Sequence, residues 1–415
     1  MVNQRVIASI MGGWLIVLLL TYRSFETEFV FYCSWIAGAF ITVMYLGITA
    51  LKMTIDKVTV QVGTFVILWF AIGLMISPSA YDLHEHLKVL VISTFYMCTS
   101  VAIAEYLIKS RINLKKYTFV VLVTWTVINL VLFGSFFFEM YIPEKHDFSG
   151  VFHDRNVFSI TTLIVVAFAV SHADRSSSSV CQYVLYVCVA VCFVMIVISK
   201  SITGNLGMFV LAFFYCQRYS AWTRAFALGA LFSILVITLL TENPISARAS
   251  RFAMAAMGDI ESLNTNESAF LRLYLIKSGL DLIMQNPWFG VGLNNAKEFV
   301  VWPDRDYGSF LHNTYLDIFT SGGLPLLLVY YCPIVYSFAS LVRNRKQVKR
   351  HLGKNDYHLW KLAFSCISLK LFCDLTWTTY FEYFMVFSII FSIYITFNLK
   401  RSLRLKAYEK STPSF

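Results

Sequence analysis

Charge is what this chain most lacks. Only 14% of its 415 residues are Asp, Glu, Lys or Arg, where a soluble domain carries about a quarter. With 58% hydrophobic residues and a mean hydropathy of +0.65, that shortfall excludes an ordinary soluble enzyme. No glycine-rich loop is followed by Lys and Ser/Thr, which removes the common nucleotide phosphate site. The nine cysteines have no metal-ligand spacing, and most lie inside apolar runs. Cys181, Cys188 and Cys192 share a helical face, but without His or carboxylate among them they read as packing. No internal repeat is visible. Charges inside the apolar runs are few, chiefly Lys361, Lys370 and Asp374. A proton-coupled transporter would show more of them, and a transporter built on inverted repeats would show its repeat.

What is present is a series of apolar runs, each about as long as a bilayer requires. About twelve can be drawn, near 6–22, 29–51, 58–77, 87–108, 117–138, 156–172, 180–198, 203–217, 224–240, 312–341, 359–375 and 381–398. The first has no small-residue cleavage pattern after it and reads as a retained helix rather than a signal peptide. The fold class is an all-α polytopic membrane protein with about twelve transmembrane helices. The net charge of +10 could suggest nucleic acid. Its carriers, however, sit between apolar runs, as in Lys109–Lys116 and Arg343–Arg350. Loops alternate between basic and non-basic along the chain, so the positive-inside rule puts the basic set and both termini in the cytoplasm. Nucleic acid is not a partner in this reading; membrane lipids are.

One long polar interval interrupts the pattern, from Thr241 to the apolar turn after His312-Asn313. The topology makes it a large periplasmic loop. It divides the chain into N-terminal spans (1–240), the loop (241–311), and C-terminal spans with a cytoplasmic tail (312–415). Ala269–Met284 has helical spacing, with Glu267-Ser268 near its start and Asn286-Pro287 as its stop. Arg248–Ile260 reads as a second short helix. Both read as amphipathic helices on the membrane surface. Trp288, Phe289 and Trp302 suit the membrane interface, or the faces of sugar rings.

Four stretches carry residues with possible chemistry. His312 stands where the loop enters a span. Alone it reads first as an interfacial histidine bonded to backbone, and only second as a group taking a proton from an acceptor hydroxyl. Arg272, between Leu271 and Leu273, can snorkel or clamp a phosphate. Ser199–Asn205 is a hydroxyl-rich junction that either caps the next span or receives an anion at its free amides. Gly150–Asn156 places His153, Asp154 and Arg155 at the mouth of another span.

Together these stretches resemble the O-antigen ligase and polymerase superfamily. The resemblance covers roughly 150–330 and rests on four features. His312-Asn313 follows the large loop and precedes Gly323-Leu324-Pro325. The arginine-bearing loop helix reads Phe270-Leu271-Arg272-Leu273-Tyr274. The stretch Asn286-Pro287-Trp288-Phe289-Gly290-Val291-Gly292 follows it, and Gly150-Val151-Phe152 through Asn156 precedes both. The resemblance implies a metal-independent glycosyltransferase, without cofactor. The donor would be a glycan on undecaprenyl diphosphate at the periplasmic face of the bacterial inner membrane. The acceptor would be a sugar hydroxyl of lipid A–core for a ligase, or a lipid-linked repeat for a polymerase. Arg272 would bind the diphosphate and His312 would assist the acceptor, with Asn313 beside it. The family's Ser/Thr-Arg pair reads Ser201-Ile202 here, which leaves its charge to Lys200 or Arg155. The glycine the family places after its Gly-x-x is Leu326. A transporter of lipid-linked sugars is the alternative of another class.

Overall fold

The computed structural model describes residues 56–109, 114–137, 149, 154–171, 179–216, 229, 268–300, 308, 310–378 and 383–411. Within them the regular elements are helices, in the order α1 (Lys57–Ile76), α2 (Leu83–Lys109), α3 (Leu114–Phe137), α4 (Arg155–Ser171), α5 (Ser179–Ile198), α6 (Ile202–Cys216), α7 (Ser268–Gln285), α8 (Ala296–Phe299), α9 (Thr314–His351), α10 (Lys354–Cys373) and α11 (Tyr383–Ser411). Six of the described helical segments are long and apolar enough to cross a membrane: Lys57–Ser79, Leu83–Lys109, Lys116–Ser135, Ser179–Ile198, Thr314–His351 and Phe384–Glu409. Helix α4 and residues Ile202–Phe213 of α6 are apolar but shorter. The runs expected near 6–22, 29–51 and 224–240 and the helix expected at 248–260 lie outside the described residues, Gly229 apart.

Helix α4 is buried along almost its whole length and forms the centre of the bundle, packed by α3, α5, α6 and α10. An all-round apolar helix needs such a position. Helix α6 reaches it through small residues. A Cβ on Gly204 would lie 2.4 Å from Ser159 Cβ, and one on Gly207 would lie 2.4 Å from Leu163 Cδ1. Close backbone approach at small residues is how membrane helices gain contact where lipid offers no hydrophobic drive. Helix α5 lies outside, with Val180, Tyr183, Val187 and Val194 exposed. Helix α11 closes the other flank against α2, α9 and α10.

The two ends of the bundle differ in charge. At one end Asp56 accepts from the Val58 amide at the start of α1 and pairs with Arg401 at 2.5 Å, while Lys109 pairs with Glu105. The same end holds His358, whose Nδ1 lies 2.8 Å from the Ser171 carbonyl. The basic clusters Arg343–Arg350 and Lys400–Lys406, expected in a loop and a tail, are helical continuations of α9 and α11. Arg and Lys are good helix formers, so nothing in them stops a helix at the membrane surface.

Because α4 and α10 meet at Ser171 and His358, their other termini, Arg155 and Cys373, lie at the opposite end of the bundle. The turn after α1, the start of α6 and the start of α9 lie there too, since each is hydrogen-bonded to elements of that end.

Candidate functional site

At this opposite end the chain threads a loop into a broken helix. Residues 286–295 leave α7 and pass between the α1–α2 turn and α9. Helix α9 is interrupted at Gly323, whose φ is 64° and ψ is −166°. In an unbroken helix the Thr320 carbonyl would accept from Leu324, and the Ser321 carbonyl from residue 325. Residue 325 is proline and has no N–H. Here Val291 N donates to Thr320 O at 2.9 Å and Gly292 N to Ser321 O at 2.8 Å, while Leu324 N turns away to Pro287 O at 2.9 Å. The loop thus satisfies the carbonyls that the break leaves open. The fit is backbone against backbone. A Cβ on Gly290 (φ +62°) would lie 2.4 Å from Thr320 O, and one on Gly323 would lie 2.2 Å from Trp288 O.

The other side of the loop is held by the α1–α2 turn. Tyr81 N donates to Val291 O at 3.0 Å, and Asn295 Nδ2 to Asp82 O at 3.0 Å. Glu85 accepts from Asn294 Nδ2 at 2.5 Å and lies 3.4 Å from Lys297 Nζ. His86 is fully buried. Its Nδ1 accepts from Leu293 N at 2.8 Å, so the ring is the tautomer whose Nε2–H donates to Gly73 O, 3.0 Å away.

Helix α7 lies over this assembly. Leu275, Leu282, Val291, Ala296, Val300 and Leu311 form one small core, and a Cβ on Gly279 would lie 3.1 Å from Leu311 Cδ1. Arg272 stands one turn before Leu275 and two turns before Gly279, on the same face of α7. It is half-buried. The residue adjoining Leu311 is His312, so α7 brings the arginine's face onto the segment that bears the histidine.

His312 has φ +51°. A bulky side chain in the left-handed region costs about 1–2 kcal/mol and persists only where its surroundings fix it. Lys200 and Asn294 share the conformation, each for an ordinary reason. Lys200 ends α5, where a left-handed residue closes the helix, and Asn tolerates the region through its short polar side chain. His312 ends no helix. It is fixed from both sides. Leu311 is buried beneath α7. Asn313 caps α9, its Oδ1 accepting from Leu316 N at 3.1 Å and its Nδ2 donating to Leu375 O at 3.3 Å. Thr314 donates from N to Asp374 O at 2.8 Å and from Oγ1 to Trp377 O at 2.7 Å. The imidazole lies against Trp377, ring centroids 4.8 Å apart and tilted 35°.

The other candidates form a second group. Asp154 caps α4 through Asn156 N at 2.6 Å and Val157 N at 3.1 Å. Ser201, buried, donates from Oγ to Asn156 Oδ1 at 2.8 Å and accepts from Gly204 N at 3.1 Å, so it is both the tie between the two stretches and the cap of α6. Ser159 and Ser199 meet at 3.0 Å. Arg155 is half-buried and Lys200 exposed on this junction. The structure thus joins the Arg155–Asn156 stretch to the Lys200–Ser201 junction through Asn156 and Ser201, and packs α7, which bears Arg272, on Leu311 beside His312; both places lie at the same end of the bundle. His153 lies outside the described residues. Among the described residues no three His, Cys, Asp or Glu side chains gather as a metal-binding group.

Sequence reasoning did not find Trp377, the bed of the histidine ring, or His86, the pin of the loop. Neither has a local pattern, because each is defined by a partner over sixty or two hundred residues away. The Lys370 and Asp374 charges were visible; their i,i+4 spacing on α10, which pairs them, was the signal available.

Residues 187–331 match the family described as O-antigen ligase. No curated protein matches the chain. The matched stretch contains Lys200, Ser201, Arg272, His312 and Asn313, and ends just beyond the break in α9; Arg155 and the 150–156 stretch precede it. The match supports the O-antigen ligase and polymerase superfamily, whose members are glycosyltransferase-like enzymes. Together with the apolar helices it points to a membrane protein.

Proposed function

Starting from that family match, we propose that the chain is an O-antigen ligase-like glycosyltransferase. It moves a glycan from undecaprenyl diphosphate to a sugar hydroxyl of lipid A–core, at the periplasmic face of the bacterial inner membrane. His312 assists the acceptor hydroxyl and Arg272 binds the donor diphosphate. The observation that carries this reading is the constrained left-handed backbone of His312, held between the α7 core and the end of α10.

The chemistry follows from the positions. A guanidinium offers a planar fork of donors to two phosphoryl oxygens, and in a partly desolvated site its attraction for a diphosphate rises. The leaving group is an anion, so a fixed cation stabilises it as charge develops. The imidazole, near neutral pH, takes the proton that the attacking hydroxyl loses. No metal is required for either role. Arg155 and Lys200, on the junction that Ser201 ties together, supply further cations at the same end, where the family's second arginine would stand. A polymerase uses the same donor and groups with a lipid-linked repeat as acceptor.

The test is transfer in a strain deleted for this gene, complemented by His312→Ala or Arg272→Ala, with membrane expression measured. Loss of surface polymer in both, with lipid-linked polymer still accumulating, supports the ligase. Loss of chain length with single repeats still attached assigns the polymerase. Wild-type transfer by both variants overturns the site and favours a transporter of lipid-linked sugars.

A further inference from the structure

Inside the apolar body, at the His312 end of α10, lies a charged pair with no exposure on either side chain, Lys370 and Asp374. Ionisable groups at such depth are costly and mark function in membrane proteins. Asp374 accepts at Oδ1 from Lys370 and at Oδ2 from Tyr331 Oη at 2.8 Å. Lys370 Nζ also lies 5.1 Å from the centre of the Tyr330 ring. Tyr315 stacks on Tyr331 at 4.5 Å and donates its hydroxyl to Leu371 O at 2.9 Å. Every one of these tyrosines belongs to α9; Lys370 lies in the last turn of α10 and Asp374 is its C-cap.

The pair sits directly under the carbonyls that hold the histidine segment. Asp374 is the C-cap of α10. Its own carbonyl receives Thr314 N, and the next three residues supply Leu375 O to Asn313 and Trp377 O to Thr314. A carboxylate at a helix C-terminus meets the negative end of the helix dipole. Lys370, one turn earlier, offsets it. The charges therefore fix the path of the chain from Cys373 to Trp377, and that path is the platform on which His312 rests.

We propose that Lys370 and Asp374 are positioning residues for the transfer step: through the end of α10 and Trp377 they hold His312 in its left-handed conformation. This rests on the reading that His312 assists the acceptor. Neither residue touches a reacting atom. Tyr331, which anchors the free carboxylate oxygen, shares the role.

The test uses the full-length protein in proteoliposomes. The donor is the lipid-linked glycan extracted from a strain lacking this protein, and the acceptor is lipid A–core from the same strain. Asp374→Asn should lower kcat about tenfold with donor KM little changed, because a supporting shell displaced by a fraction of an ångström misaligns the reacting groups without weakening donor binding. Lys370→Met should lower kcat further, since it leaves a carboxylate buried unpaired at a helix C-terminus. The double variant Lys370→Met/Asp374→Asn should recover above Lys370→Met alone, as two members of one ion pair must couple; a merely structural role would show as lost accumulation with kcat per folded protein unchanged. Tyr331→Phe keeps the fold, should lower kcat about threefold, and decides the question alone if the charge variants do not accumulate. Wild-type kcat in Asp374→Asn and Tyr331→Phe, or a loss confined to KM, overturns the positioning role. His312→Ala is run beside them. If it is inactive while the others are normal, only the positioning role falls; if it transfers normally, the assignment of His312 falls with it.

Discussion

His86 shows how a single buried side chain can hold two elements in register. Its two nitrogens serve Leu293 N–H and Gly73 C=O at once, which ties the docked loop to the α1–α2 hairpin. Replacing it by alanine strands the buried Leu293 amide, leaves the Gly73 carbonyl with only the longer bond from Ser77 Oγ, and opens a cavity. The expected cost is about 2–4 kcal/mol, read as a fall in thermal unfolding temperature in detergent, with faster hydrogen exchange at the Leu293 amide. A His86→Ala protein as stable as wild type would mean that the loop is held by α9 alone. At this scale the sequence was half legible. His312, Arg272, Ser201 and Asn313 drew notice because polar groups at span mouths stand out against an apolar background. Ser201 is a tie and a cap rather than a solvent-facing group, and no local pattern announces a partner forty-five residues earlier.

Among elements, the helix boundaries followed closely from hydrophobic runs. The loop helix expected over Ala269–Met284 is Ser268–Gln285. The spans expected near 58–77 and 156–172 are Lys57–Ile76 and Arg155–Ser171. The ends were less legible where the helix outlives its hydrophobicity, as α9 does through Arg343–His351. Hydropathy locates the bilayer, not the last hydrogen bond of a helix. The placement of α7 over Leu311 was not legible at all, since it depends on Gly279 leaving room for the leucine. It makes a direct prediction. Cysteines at Gly279 and Leu311 should form a disulfide under mild oxidation, seen as two fragments held together after cleavage in the intervening chain. A Cβ at position 279 would lie 3.1 Å from Leu311 Cδ1, so side chains at the two positions face each other at close range. Absence of that bond, with both thiols reactive, would remove α7 from the histidine segment.

For the whole molecule the question is which way it faces. The positive-inside rule leads to the expectation that the Asp56, Lys109, His351 and Arg401 end faces the cytoplasm and the His312 end the other side. The patch of Met284, Trp288 and Phe289, all exposed, would then lie at the periplasmic boundary. In a background with the native cysteines replaced by alanine, a membrane-impermeant maleimide should label Met284→Cys in intact spheroplasts. It should label His351→Cys only after permeabilisation. The reverse pattern would invert the topology, and place the candidate site where no periplasmic acceptor could reach it. The alternation of basic loops gives the topology expected from sequence; it sums over many segments, but one missed or false span would flip everything downstream of it, so the labelling is its test.

The proline at 325 also determines what can be exchanged. A helix entering lipid with the Thr320 and Ser321 carbonyls open would leave polar backbone in hydrocarbon, at several kcal/mol for each group. The amides that close them come from a loop translated earlier, at Val291 and Gly292. Neither piece is therefore a self-sufficient module. Hybrids that graft the periplasmic loop of one relative onto the spans of another would have to carry residues 287–325 as a single block, with their crossover points outside it.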